Sequence, residues 1–353
     1  MTTARTGSRV LVGLTATSVL LAACGGGGGA GGGGGGGDKV TLRLSHQWPA
    51  PAGDKGDFRA VLAQKFSDCV KEKTGGSADV KIFPNNTLSK ATEQYDAMQT
   101  GAIDMSVFPL DYASGRVPQF GVTLMPTLPR SHEEAQKWQD AEIGKRVTEV
   151  AEKNGVRILT WIWNAGAVGA KGEPVVAPED VRKGMKLRAA GALVEEMLQK
   201  AGAGISSLPS SEIYSAMQTG VLDGAVTSTS SFSSFRLQEQ VDSFTSPTKN
   251  YTFWFMFQPL IVSMKAWEKL NPEQQRAFTE CGKAQQEFAY SASEEDDIRV
   301  EKEFQEAGVK VVPMDEAAFA KWQELAKPVM EKFATDVEGG KELLELAQKT
   351  SQG

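Results

Sequence analysis

A two-lobed α/β protein is the fold class this sequence predicts, and three observations carry the prediction. Strand-like runs of β-branched and apolar residues alternate with amphipathic helical stretches, the order that builds mostly parallel sheets with helices on their faces. A ten-residue unit occurs twice, as Tyr95-x-Ala97-Met98-Gln99-Thr100-Gly101-x-x-Asp104 and as Tyr214-x-Ala216-Met217-Gln218-Thr219-Gly220-x-x-Asp223. Seven identities at fixed spacing point to two similar αβ units. Finally, 353 residues are too many for one compact core.

Taken in order, the chain opens on a targeting segment. Arg5 and Arg9 precede an apolar run from Val10 to Leu21, too short to span a membrane and suited to a signal-peptide core. The run ends Leu21-Ala22-Ala23-Cys24, which looks like a bacterial lipobox, with Cys24 as the lipidated new N-terminus. The glycine tract from Gly25 to Gly37 buries nothing and is expected to act as a tether with a reach of roughly 20 Å. Removing the segment before Cys24 takes away Arg5 and Arg9 and moves the net charge from −6 to −8. That balance argues against nucleic acid as a partner, because phosphate binding needs clustered Lys and Arg.

The mature chain starts with an expected strand at Val40–Ser45, a loop carrying Trp48, and a helix from Phe58 to Glu72 closed by Gly75 and Gly76. A strand at Val80–Pro84 leads into the first repeat, whose own strand is expected at Ile103–Phe108. A helix over His132–Lys153 and a strand over Val156–Trp163 complete the first rhythm. The second begins with a helical turn at Pro178, a strand at Met185–Arg188 and a helix at Leu193–Ala201. The second repeat then runs into a hydroxyl-rich stretch, Thr227–Ser234, read as loop. Tyr251–Phe257 is aromatic enough for a buried connection between lobes. Asn271-Pro-Glu-Gln is an N-cap with proline at the first helical position, opening a helix of up to about 35 residues. A strand at Val309–Val312 and helices at Ala317–Lys332 and Lys341–Lys349 close the chain.

Chemistry-bearing motifs are few. There is no nucleophile elbow, HExxH or phosphate-cradling loop, and His46 and His132 are the only histidines. Neither a metal site nor a His-based triad is supported, so no cofactor, no metal and no enzyme activity are expected. With Cys24 assigned to lipid, Cys69 and Cys281 are left either as a disulfide permitted outside the cytoplasm or as two unpaired helix cysteines. A binding site fits better: two αβ lobes make a cleft at strand ends and helix N-termini. A buried arginine there grips a carboxylate bidentately. Arg188, at the end of a short second-lobe strand, is the best-placed candidate, against the alternative of a surface or structural arginine.

Several motifs, in order, resemble the solute-binding proteins of TRAP transporters, the DctP-type family. They are Ile82-Phe-Pro-Asn85 with Leu88, Gly101-Ala-Ile-Asp-Met105, Leu124-Met-Pro126, Pro178-Glu-Asp-Val with Gly184-Met-Lys-Leu-Arg188, Ser211–Gly224, Leu260-Ile-Val-Ser263 and Leu270-Asn-Pro-Glu. The resemblance covers about Val40 to residue 345. It implies a two-lobed periplasmic-binding-protein-like fold of type II, with a central ligand cleft and a long C-terminal helix. It also implies a protein that captures a small organic acid and delivers it to membrane permease subunits. Arg188 matches the arginine that pairs with the ligand carboxylate in that family. Two departures bear on the cargo. Val168 stands where relatives for acidic sugars carry a second arginine, and Asp223-Gly224-Ala225-Val226-Thr227 replaces a common Asp-Gly-x-Glu-Asn pattern. Both favour a monocarboxylate with an apolar or aromatic-lined body.

Further ligand-binding candidates by position are Gln47, Trp48, Lys90, Tyr112, Trp163, Thr227 and Gln258. Core packing is the competing reading for the aromatics, evenly matched for Trp48, Tyr112 and Trp163, and preferred for Trp161 and Phe253. The expected organisation is a lipoprotein signal peptide over 1–23 and the lipidated tether over 24–38. One lobe is expected from 39–165 with about 254–293, the other from 166–253 with about 294–350. The expected protein is a monomer, anchored by Cys24 outside the cytoplasmic membrane. Competing readings are a ligand-sensing partner of a membrane receptor and an extracytoplasmic enzyme.

Overall fold

The structure, a computed structural model, describes residues 39–352. The signal-peptide, lipobox and tether assignments, Cys24 included, lie outside the described residues. Within them the strands are β1 (Val40–Ser45), β2 (Ala78–Phe83), β3 (Met105–Val107), β4 (Val156–Thr160), β5 (Trp163–Ala170), β6 (Lys186–Ala189), β7 (Gly204–Ser207), β8 (Gly224–Ser228), β9 (Ser243–Ser246), β10 (Phe255–Phe257), β11 (Leu260–Ser263) and β12 (Lys310–Pro313). They form two sheets. The first has the order β2-β1-β3-β11-β4, and the second the order β12-β9-β5-β8-β6-β7 with β10 on the start of β5. In each sheet a parallel group carries the αβ repeats, β2, β1 and β3 in one and β7, β6 and β8 in the other.

The doubled decamer folds the same way twice. A short helix, Gln94–Thr100 or Ile213–Gln218, buries its methionine, Met98 or Met217, and stops at a left-handed glycine, Gly101 at φ +82° or Gly220 at φ +77°. The aspartate three residues on then clamps the neighbouring strand. Asp104 accepts the Arg43 backbone N–H at 2.9 Å and donates its own to the Arg43 carbonyl at 3.0 Å. Asp223 does the same to Lys186, at 2.8 Å in both directions. Arg43 lies on β1 and Lys186 on β6, the strands that β3 and β8 join.

Four expectations about the elements change. The strand expected over 156–163 breaks after Thr160, because the chain crosses from one sheet to the other there. At Trp161 the side chain of Gln286 replaces the sheet: its Oε1 accepts the backbone N–H at 2.9 Å and its Nε2 donates to the carbonyl at 2.7 Å. The helix expected over 132–153 is two, His132–Lys137 and Glu142–Lys153, since the chain folds tightly over the buried Trp138. Similarly, the long helix after Asn271 divides at Gln285 into Pro272–Ala284 and Gln286–Glu306. The hydroxyl-rich stretch is not a loop. Thr227 and Ser228 end β8, and the Ser228 hydroxyl then accepts the Ser231 N–H at 3.3 Å to start the helix Thr229–Ser234.

Of the two readings for the remaining cysteines, the structure takes the disulfide. Cys69–Cys281, with Cα atoms 5.8 Å apart, ties the helix Phe58–Lys73 to Pro272–Ala284. The chain's last helix, Gly340–Gln352, was expected with the second lobe but buries Leu343 and Ala347 among Phe120, Ile143 and Val147 of the first.

Candidate functional site

Two connections pass between the sheets side by side, through Trp161–Ile162 and through Gln258–Pro259, joined by the Gln258 N–H to the Ile162 carbonyl at 2.8 Å. The cleft opens beside them, where β1, β3, β6, β7 and β8 all end. Side-chain alternation sets what faces it. Leu187 and Ala189 of β6 enter the second-lobe core, and Arg188 between them turns the other way.

Arg188 is 1% exposed. Its Nε donates to the Leu208 carbonyl at 2.8 Å, one terminal nitrogen to the Val226 carbonyl at 2.8 Å, and the other to the Tyr112 hydroxyl at 3.1 Å. A guanidinium has five N–H groups, so one hydrogen on each terminal nitrogen is left. That remaining pair is what a bidentate carboxylate takes. Tyr112 comes from the 3-10 turn Leu110–Ala113 of the first lobe, so the arginine site is built across both lobes. Its hydroxyl also lies 3.4 Å from the Ser210 N–H.

Gln47 joins the same seam. Its Oε1 accepts the Ser210 hydroxyl at 3.0 Å, while its buried Nε2 has no partner among the described residues. His46 beside it is fully buried with both ring nitrogens unpartnered. Burial pushes its pKa down to about 4, with Asp57 opposing that shift and Arg59 adding to it, so the ring is neutral at physiological pH.

Trp48 and Gln258 belong to a second buried cluster that sequence reasoning missed, centred on Arg59. The Arg59 guanidinium lies 4.0 Å from the Trp48 ring centroid and pairs with Asp57 at 2.5 Å. It also donates to Gln258 at 2.7 Å, to Ser228 at 3.0 Å and to Ser231 at 3.2 Å. Every N–H of this arginine is used, which makes it a brace between the lobes and not a free anion site. Asp57 would be raised by burial, but the charge and hydrogen bonds of Arg59 and the Ser234 hydroxyl outweigh that and hold it below the usual carboxylate range. The available sequence signal was Asp57 as an N-cap, with an arginine two residues on among the apolar positions of the first turn.

The remaining candidates separate. Thr227 is buried on β8 opposite Ala167 of β5, and Val168 is filled into the second-lobe core. Trp163 does not face the cleft group. Its ring packs against Trp138 at 5.2 Å and Phe257 at 4.8 Å between centroids, in the first-lobe core. Lys90 lies at the surface: its side chain is 77% exposed and its acidic neighbour is Glu93, 3.9 Å away. Trp161 and Phe253 pack as core, on Phe257 and Trp322.

Two α/β lobes, a paired crossing and a buried arginine shared across the seam define a cleft-type ligand-binding protein. Residues 54–336 match the family described as bacterial extracellular solute-binding protein, family 7, the DctP family. A solute-binding protein of Albidiferax ferrireducens is 40% identical over 310 residues, 88% of this chain and 91% of that one. The C4-dicarboxylate-binding periplasmic protein DctP of Rhodobacter capsulatus is 25% identical, covering 92% of each chain. Among solved structures, a TRAP periplasmic solute-binding protein from Rhodoferax ferrireducens with bound malonate superposes with a TM-score of 0.85. It is 40% identical, over 88% of this chain and 98% of that one. The chain therefore belongs to the DctP family of extracytoplasmic solute-binding proteins, as its motifs suggest.

Proposed function

We propose that this protein is the solute receptor of a TRAP-type secondary transporter, that it captures a small organic acid, and that Arg188 is the anchor for the acid's carboxylate. The observation that carries the reading is the buried Arg188 guanidinium, with protein partners on both lobes and one N–H left on each terminal nitrogen. Tyr112 and Gln47 complete the polar seam, and Thr227 and Gln258 stand on the strand and crossing beside it. Malonate in the relative from Rhodoferax ferrireducens supports a carboxylate as the recognised group. Position 168, where the family resemblance places a second arginine in relatives for acidic sugars, is an apolar valine packed into the second-lobe core, which favours a monocarboxylate here.

Capture is a hinge closure about the two crossings, since an acid held by groups of both lobes stabilises only the closed form. The receptor is a monomer held to the outer face of the membrane by lipid on Cys24, and it hands its cargo to the permease subunits without chemical change. Mass spectrometry of ligand co-purified with the mature domain names the acid. Titration calorimetry of Arg188→Ala then tests the anchor. Affinity should fall by several kcal/mol, the scale for removing one partner of a buried charge pair, and survival within a few-fold would remove Arg188 from the role.

A further inference from the structure

Next to the arginine seam stands a carboxylate with no partner. Asp111, in the same 3-10 turn as Tyr112, is 4% exposed, and no described residue donates a hydrogen bond to its side chain. It lines a cavity of about 330 Å3 between the lobes, with Thr92 and Tyr112 on one side and Gly191, Glu195, Leu208 and Glu212 on the other. The cavity is shaped around it. A β-carbon on Gly191 would stand 3.1 Å from Asp111 Oδ2 and 2.7 Å from the Leu124 side chain, and Gly191 sits at φ +90°. The charged and titratable groups that face Asp111 are Arg188 from β6, Glu195 from the helix Ala192–Lys200, and Tyr112 beside it, with Glu212 on the cavity wall. Glu195 is engaged with the Ser207 hydroxyl at 2.6 Å, and no lysine lines the cavity.

The Asp111 carboxylate opens onto this cavity with no protein donor, so a donor group entering the cavity can pair with it. The surroundings choose the charge of that group. Two further carboxylates make the cavity negative, so a cation gains there and a second anion loses. We propose that Asp111 receives a protonated amine of the cargo, so that the bound acid is an amino acid held at its carboxylate by Arg188 and at its ammonium by Asp111. This rests on Arg188 being the carboxylate anchor and narrows the cargo from an organic acid to a zwitterion. Burial first, then Glu195, push the Asp111 pKa up to about 7, with Arg188 opposing. An ammonium bound there draws it back down. Binding an amine-bearing acid near neutral pH therefore releases a proton, and its affinity rises from pH 6 to pH 8. A plain carboxylate on Arg188 does the reverse, because it prefers Asp111 protonated.

The test is calorimetric titration of the mature domain at pH 6, 7 and 8 with matched probes. These are propanoate and alanine, then butanoate, pentanoate and hexanoate with their terminal amino derivatives. The expected result is that at least one amino member binds tenfold or more tightly than its plain acid at pH 7. Its affinity should grow with pH, and Asp111→Asn, checked for folding by thermal melting, should remove most of that advantage. The inference is overturned if no amine improves on its parent acid, if the advantage persists in Asp111→Asn, or if the pH slope has the opposite sign. The slope is read on the wild-type protein, so it decides even if the variant folds poorly. Arg188→Ala separates the two layers: loss of all acids there with no amine preference in the wild type leaves the anchor standing and removes only Asp111.

Discussion

The two lobes carry the same decamer in the same fold but put the residues after it to different uses. In the first lobe β3 runs into Phe108 and Pro109, and the next turn supplies Asp111 and Tyr112 to the seam. In the second, β8 runs into a serine-capped helix whose hydroxyls meet Arg59 and Asp57 of the first lobe. The unit itself is scaffold in both: methionine inward, glycine left-handed, aspartate on the neighbouring strand. Function sits one turn beyond it. The lobes also differ in how they are held, since the disulfide staples only the first.

That difference can be broken first at Cys69 and Cys281, which close 212 residues of sequence. Replacing both by serine should cost about 2–4 kcal/mol in denaturant unfolding, and an unchanged midpoint would mean the lobe does not depend on its staple. Next comes Asp111, the buried acid of the first lobe. Its folded pKa lies near 7, above the ordinary 3.8, so between these values the folded state binds more protons than the unfolded one. Its contribution thus turns unfavourable as pH rises from about 4 to about 7. Asp111→Asn should raise the melting temperature at pH 8 and leave it little changed at pH 4. A smaller effect tests the aspartate clamps against each other. Asp104 also takes the Arg43 guanidinium at 2.9 Å, whereas Asp223 has only the backbone of Lys186. Asp104→Ala should therefore cost about 2 kcal/mol and Asp223→Ala about 1, and equal losses in chemical denaturation would show that the added ion pair contributes nothing. Smallest is the pair Gly101→Ala and Gly220→Ala. A β-carbon meets nothing within 4 Å at either site, so only the left-handed backbone is penalised. About 1 kcal/mol each is expected, and unequal values would mean the two units are not held alike.

Legibility followed the range of the forces. Met98, Met217, Gly101 and Gly220 could be placed from sequence because helix period and helix termination are local. Arg188 stood out through its place at the end of a short strand and the family motif around it. Arg59, His46 and Asp111 did not, because each is defined by what the opposite lobe or a distant turn leaves unpaired or pairs, and nothing within a few residues records that. Trp163 and Lys90 show the same limit from the other side. Both sit beside cleft-forming segments in sequence, yet the Trp163 ring packs into the first-lobe core and the Lys90 ammonium lies at the surface.

The sequence by itself determined the two α/β units, their internal repeat and the family, since these rest on periodicity, turn chemistry and ordered motifs. Only the tertiary structure decided which polar groups meet across the cleft, that Cys69 reaches Cys281, and that the last helix returns to the first lobe. Those outcomes depend on contacts between residues tens to hundreds of positions apart, where burial and pairing, and not local propensity, select the partner.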